Sequence, residues 1–397
     1  MSKRILIFTA SYGEGHNAAA RALAAACDHT HGPGTARVVD IFELTRPRFN
    51  QISRRAYIAT INGAPKLWSS LYAWIDRSNI VPRCMWLLGR ERRLFAQIIA
   101  EEQPEVICST YPIYAFLVER LNAEGHRLPP HFNVVTDSIS INSLWWRAGA
   151  AGWFVPNTDS ADVMRQGGVE ADRLHVTGFP VPAFFGANAL HLAPPDLKTT
   201  GVAPRILYII NSGTNNAEET ARLLIAETAW EITIAVGRNE SLRLELEKLA
   251  EDRALPARCL GWTDQIPHLL MTHHVVISKA GGATTQEAIA ARCPMIVNQI
   301  VPGQEEGNYE LLRRTGAGTL ATTPTAVMQA LRTAFAKNGA VWQQWRSALA
   351  PIVRNDAASI IAQYLIDAPT RHPLTATVAA PAPRLSTAAL PTGPALT

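Results

Sequence analysis

Between Ser278 and Asn308 the chain reads SKAGGATTQEAIAARCPMIVNQIVPGQEEGN. The apolar run leading into it predicts a buried strand that ends at Lys279. Gly281 and Gly282 then allow a tight turn with close backbone approach, and Thr284 begins a helix whose free amide groups suit a phosphate. Glu287, one turn inside that helix, is placed to accept hydrogen bonds from a ribose diol. Thr284-x-x-Glu287 also fits a capping box, in which Glu287 bonds backbone instead of ligand. The next strand, Met295 to Ile300, ends in VPGQEEGN, which sets Gln304, Glu305, Glu306 and Asn308 at the same sheet edge. These groups suit sugar hydroxyls, and they equally fit a polar helix start. Two successive strand ends with complementary chemistry, diphosphate and ribose on one and sugar hydroxyls on the other, favour a nucleotide-sugar site. Strand, turn, helix and strand in this order make the unit of a parallel α/β sheet, which binds ligands at its carboxyl edge.

The same alternation runs through most of the chain. Before the quoted stretch come strand-like RILYIIN, ITIAVG and ARCLGW, each followed by a helix-like or polar segment. An earlier series has expected strands near Arg4–Thr9, Arg37–Ile41, Glu105–Cys108, His131–Thr136, Gly152–Val155 and Leu174–Thr177. Between the two series GANALHLAPPDLKTTGVAP, residues 186–204, has loop composition and is the linker candidate. The expected architecture is two doubly wound, Rossmann-like domains, 1–185 and 205–350, facing one interdomain cleft, with a C-terminal helix at 351–367. Residues 368–397, rich in Ala, Pro and Thr, have the composition of a disordered tail.

Of the 397 residues, 47% are apolar and 18% charged, as in ordinary globular proteins. No apolar run approaches the roughly 20 residues of a membrane-spanning helix. The start of the chain lacks a signal-peptide pattern, which makes a cytoplasmic location the default. The five cysteines are scattered and never form C-x-x-C, so they read as reduced, mostly buried residues rather than a zinc site or a disulfide framework.

The net charge of +4 hides a strong asymmetry. From Arg46 to Arg93 ten basic residues stand against only Asp76 and Glu91, so this segment holds all the excess positive charge. PKLWSSLYAWIDR, residues 65–77, carries Lys66 and Arg77 near its ends, places Leu67, Leu71, Trp74 and Ile75 at helical spacing and adds Trp68 and Tyr72, and Trp86 follows. Cations beside aromatics on an amphipathic helix suit the interface of an anionic membrane. A helical insertion packed into the first domain is the alternative for the same pattern. Nucleic acid is disfavoured as a partner, because no recognised module accompanies the charge.

The first strand runs into FTASYGEGHNAAARAL, residues 8–23, which puts a titratable imidazole, His16, at a strand-to-helix turn. Together with the stretch at 278–308, it resembles the monogalactosyldiacylglycerol synthase and processive diacylglycerol glucosyltransferase family, relatives of the peptidoglycan N-acetylglucosaminyl transferase. The resemblance spans roughly Lys3 to Ala350 and includes VGRNESLRLEL and CLGWTDQIPHLL. It implies a GT-B fold, inverting transfer of a hexose from a UDP-sugar, a donor site in the second domain and a diacylglycerol-type lipid acceptor met at the cytoplasmic membrane surface. By the same resemblance Gly213 lies near the diphosphate, Gly237 and Arg238 line the donor pocket, and Trp262 flanks the uracil. Gly281, Gly282 and Thr284 cradle phosphates, Glu287 binds ribose, Gln304 and Glu305 hold the sugar with Asn308 beside them, and Gly13, Glu14, Gly15 and His16 form the acceptor-side loop.

Inverting transfer needs a base for the acceptor proton and something positive for the departing UDP. No D-x-D occurs in the chain, so no metal and no cofactor are expected, and helix amides with Arg238 take the place of a divalent ion. Two residues compete as the base: His16, whose ordinary pKa of about 6.5 suits the task, and Asp137 in VVTDSISINSLWW, which needs burial to raise its own. A helix-start His and an N-capping Asp are their structural alternatives. The family commonly carries a second histidine shortly after this aspartate. Here Ser138 and Ile141 stand in that pattern, with Asn142 next, which leaves the acceptor less defined than the reaction. A different acceptor, such as a polyprenyl-linked intermediate, and a non-catalytic nucleotide-sugar binder remain the alternatives.

Overall fold

The computed structural model describes residues 4–11, 13–46, 60, 70, 74–78, 80–210, 216–251, 255–303 and 305–369. Lys66, Trp68, Gly213, Gln304 and the expected tail beyond residue 369 lie outside them. Two six-stranded parallel sheets organise the molecule. The first contains β1 Ile5–Thr9, β2 Ala36–Asp40, β3 Val106–Ser109, β4 His131–Val134, β5 Gly152–Val155 and β6 Leu174–Val176, in the order β2-β1-β3-β4-β5-β6. The second contains β7 Arg205–Ile209, β8 Glu231–Ala235, β9 Ala257–Leu260, β10 Val275–Lys279, β11 Met295–Gln299 and β12 Gly318–Leu320, in the order β12-β11-β10-β7-β8-β9.

Helices cover both faces of each sheet, which is why strands such as Ile5–Thr9 and Val106–Ser109 are buried along their whole length. Those that matter below are α1 Glu14–His31, α2 Gly89–Glu102, α3 Ile113–Ala123, α4 Leu144–Arg147, α5 Thr158–Gln166, α6 Gly282–Ala290, α7 Glu306–Thr315 and α8 Ala357–Asp367. On one face of the first sheet Phe8, Ile107 and Val39 pack against Phe95 of α2 and Tyr114 and Leu117 of α3. On the other face Ile5, Ile7, Cys108 and Phe132 pack against Leu23 of α1 and against Ile361 and Leu365 of α8. The end of the chain therefore returns to the first sheet after the second is complete. Gly186 and Asn355, on the two crossings between the sheets, lie in contact.

The expected strands fall within a residue or two of the observed ones, and β12 is an addition. It has three residues and follows Gly316, which ends α7 in the left-handed region at φ 67°, so it is too short to show a pattern of its own. The helix expected to begin at Thr284 opens at Gly282, with Gly281 as its N-cap. Thr284 thus lies inside the first turn, and the capping box with Glu287 does not form.

Candidate active site between the two sheets

In open parallel sheets ligands settle outside the carboxyl ends of the strands, where the strand order reverses. The reversal falls between β1 and β3 in the first sheet and between β7 and β10 in the second. His16 stands at the first of these points. Its Nδ1 lies 2.7 Å from the carbonyl oxygen of Thr110, just beyond β3, and 2.8 Å from the hydroxyl of Thr136, just beyond β4. A carbonyl only accepts, so the ring proton is on Nδ1 and the lone pair is on Nε2, which has no partner among the described residues. Burial, partly offset by the Thr110 bond, lowers the pKa of His16 to about 4 and keeps the ring neutral. Tyr111 stands edge-on to it, 5.1 Å between ring centres.

Asp137 follows Thr136 directly. Its Oδ2 accepts the indole N–H of Trp145 at 2.7 Å, and the backbone N–H of Asn142 also bonds the carboxylate. Burial raises its pKa to about 6 against the pull of those two donors. The side chain of Asn142 is buried and accepts the N–H of Leu144 at 3.0 Å, so it is engaged within its own turn. Burial thus moves the two candidate bases in opposite directions. It makes His16 a weak proton acceptor and brings Asp137 close to working pH.

On the second sheet the strand-end loops carry the remaining candidates. Gly237, at φ +62°, and exposed Arg238 follow β8, while Trp262, 71% exposed, follows β9. At the turn after β10, Lys279 pairs with Glu305, whose other oxygen accepts the N–H of Val301 at 3.0 Å. Asn308 donates to the carbonyl of Ala280 at 2.9 Å and fixes the same turn from α7. Glu287 faces α1: burial raises its pKa to about 7, with Arg21 lowering it and Glu14 raising it. Glu14 and Arg21 are themselves paired on the surface.

The two edges meet. The N-caps of α1 and α6 are Gly13 and Gly281, and no side chain caps either helix. A Cβ on Gly15 would lie 3.7 Å from the backbone nitrogen of Ala283, so the two uncapped helix starts face each other across the boundary. Each presents free amides and about half a positive charge. The carbonyl of Thr136 lies 3.4 Å from where Gly282 would carry a Cβ, and that of Ser138 lies against Gly307 of α7. Asp137 is therefore flanked on both sides by contacts to the second sheet's helices. Arg314 on α7 and Asp159 on α5 add an ion pair at 3.0 Å.

Sequence reasoning did not single out Thr110, Thr136, Trp145, Lys279 or Gly307. Only Gly307 carried a signal, a glycine in the first turn of a helix, where it costs about 1 kcal/mol relative to Ala. Of the residues expected at a membrane, Arg77 and Trp74 lie on the helical turn 74–77, with Trp74 more than half exposed. Trp86 is 76% exposed, with exposed Leu44 and Leu87 as further apolar surface. Among the described residues no helix is long and apolar enough to cross a membrane, and no group of three or more His, Cys, Asp or Glu side chains is placed to hold a metal.

Comparison with known proteins finds similarity in both sequence and fold. The family model of monogalactosyldiacylglycerol (MGDG) synthase matches residues 16–181, the stretch from His16 past Asp137. A processive diacylglycerol beta-glucosyltransferase of Bacillus cytotoxicus is 24% identical over 93% of this chain and 95% of its own. Among solved structures, MurG of Acinetobacter baumannii superposes with a TM-score of 0.58 at 12% identity, over 91% of this chain and 99% of its own. The UDP-GlcNAc 2-epimerase of Neisseria meningitidis, bound to UDP-GlcNAc, gives 0.56 at 12% identity, over 92% and 100%. Transferases and epimerases thus share the two-sheet frame, and the fold alone does not choose between them. In sequence the chain is similar to the monogalactosyldiacylglycerol synthases over residues 16–181 and to processive diacylglycerol glucosyltransferases over most of its length, and its two-sheet frame is the GT-B fold.

Proposed function

We propose that this protein is a UDP-sugar-dependent glycosyltransferase that moves a hexose, with inversion, to the hydroxyl of diacylglycerol or a related lipid at a membrane surface. The observation that carries the reading is the meeting of two uncapped helix starts, those of α1 and α6, beside Asp137. Relatives named for this chemistry and aligned over nearly the whole chain supply the substrate class.

In this reading residues 1–185 with α8 make the acceptor side and 205–350 the donor side, joined by 186–204. The uracil lies by Trp262, the ribose by Glu287, the diphosphate at Gly281, Gly282 and Thr284 with Gly213, Gly237 and Arg238 nearby, and the sugar at Gln304 and Glu305, with Asn308 holding the turn. Asp137 takes the proton of the acceptor hydroxyl as that oxygen bonds the anomeric carbon. The bond from that carbon to the β-phosphate oxygen breaks, and UDP departs with the electron pair. The amides of α1 and α6 lie where the leaving diphosphate gathers charge, and preorganised donors of this kind act without reorganising. Neutral His16 offers Nε2 to the acceptor as a hydrogen-bond partner, with Gly13, Glu14 and Gly15 around it and Asn142 bracing Asp137. Trp74, Arg77 and Trp86 face the membrane, and the charge and aromatic pattern of the sequence assigns Lys66 and Trp68 to the same contact.

Incubation with radiolabelled UDP-galactose, UDP-glucose and UDP-N-acetylglucosamine in diacylglycerol-containing vesicles, followed by lipid extraction, tests this. Label from one of the two UDP-hexoses is expected in a diacylglycerol glycolipid. Label only in polyprenyl-linked lipid, or donor binding with neither transfer nor hydrolysis, would replace the reading with another acceptor or with a sensor.

A further inference from the structure

We propose that Trp145 is a positioning residue for the transfer: its indole N–H holds the carboxylate of Asp137 in the orientation from which it receives the acceptor proton. This rests on the reading of Asp137 as the base. Trp145 is 1% exposed, so its ring is closed off from substrate, and its Nε1 donates to Asp137 Oδ2 at 2.7 Å. The ring is itself fixed. Val135, Ile141, Trp153, Val155, Ala161 and Met164 enclose it, and the Trp145 carbonyl accepts the indole N–H of Trp153 at 2.7 Å.

The helical turn that carries it, α4, is also anchored from outside. Ser143 donates its N–H to Asp76 Oδ1 at 2.7 Å, and the Arg147 guanidinium bonds the carbonyls of Asp76 and Ser78. An aspartate at the end of a strand has two free torsions. Here the rigid Trp145 donor pins Oδ2 and the Asn142 N–H also bonds the carboxylate, so its plane is fixed while lone pairs remain for the acceptor proton. The charged and titratable groups on the elements packed around this loop include His16 on α1, Arg147 on α4, Asp76 and Arg77 on the turn 74–77, Asp159 on α5 paired with Arg314 on α7, and Lys279 with Glu305 across the boundary. None of them is among the influences on Asp137, which are burial, the Trp145 N–H and the Asn142 N–H.

The test compares Trp145→Phe, Asp137→Asn and Trp153→Phe in the full chain by turnover, donor KM and the pH dependence of kcat, with thermal unfolding as the check on folding. Trp145→Phe is expected to lower kcat by roughly 10- to 100-fold with little change in donor KM. An N–H that favours the charged form is lost, so the acid limb of its pH profile is expected to move up by roughly one unit. Trp153→Phe removes a buried indole bond of the same cluster that does not touch Asp137, and is expected to lower stability without moving the limb. Should Trp145→Phe fail to fold, 3-benzothienylalanine in place of Trp145 keeps the shape and lacks only the N–H. An unmoved acid limb with either replacement, or an equal shift in Trp153→Phe, overturns the positioning role. Wild-type turnover of Asp137→Asn would instead overturn the reading of the base.

Discussion

Replacing Gly307 with alanine tests whether closure of the two sheets onto one another makes the active site. The added Cβ would lie 1.7 Å from the carbonyl oxygen of Ser138 and 2.5 Å from the nitrogen of Ser140. Both are backbone atoms that cannot rotate away. Ordinary contact begins at 3.4 Å, so the boundary must open by 1.7 Å at this point. Asp137, one residue before Ser138, then moves relative to the Gly281–Gly282 turn by a similar distance. A displacement of about 1 Å between reacting groups costs about 10²-fold, so kcat/KM is expected to fall at least that far, a barrier increase of about 2.7 kcal/mol. The strain is relieved by parting the two units, so the unfolding temperature is expected to change little. UDP binding by calorimetry is expected to weaken far less than transfer, because in this reading the uracil, ribose and most of the diphosphate are held by the second unit and α1 adds only its amides. Steady-state transfer into vesicles, measured beside that titration, decides the matter: Gly307→Ala with full turnover and intact UDP binding would show that the contact seen here is not the catalytic arrangement.

Three further outcomes are expected. Activity should survive EDTA, since the chain has no D-x-D to hold a divalent ion, and complete loss on chelation would refute the metal-free reading. Flotation with anionic vesicles should recover more protein than with neutral ones, and Trp86→Ala should reduce that recovery; equal recovery on both vesicles would count against an electrostatic surface. Stability should fall on acidification from about pH 7 to about pH 5. Burial lowers His131 to about 3 and His16, His273 and His274 to about 4, so the fold keeps them neutral while the unfolded chain binds protons below about 6.5. Their contribution is complete above that value and is lost as pH falls toward 4. Asp137 and Glu287, raised to about 6 and about 7, act in the opposite sense and leave a net loss on the order of 2.7 kcal/mol per pH unit. Thermal unfolding across that range, with a midpoint that rises on acidification, would contradict it.

The fold was legible because its strands are buried on both faces. Runs such as Ile5-Leu6-Ile7 and Val275-Val276-Ile277 announce themselves without any partner in view. The Gly281–Gly282 turn was legible for a similar local reason, since a strand, two glycines and a helix follow in nine residues. What remained hidden depends on residues far apart in the chain. Nothing near His16 marks Thr110 or Thr136, 94 and 120 residues away, as the groups that fix its tautomer. Trp145 looked like one more aromatic, because a hydrogen bond to Asp137 has no sequence signature. The possible capping box was a true local ambiguity, which one fact settles: the helix starts two residues earlier than expected.

The return of α8 to the first sheet also sets an order of assembly. Ala358, Ile361, Ala362 and Leu365 close a core whose other wall is Ile5, Ile7, Ala20 and Leu23. During synthesis the first unit therefore stays open on one face until residues 357–367 have left the ribosome. The second sheet is contiguous in sequence and has all its strands before then. The nascent chain thus carries an unfinished apolar surface for most of its elongation, the circumstance in which chaperones hold a partly folded domain. The half that begins the protein is the last to be completed.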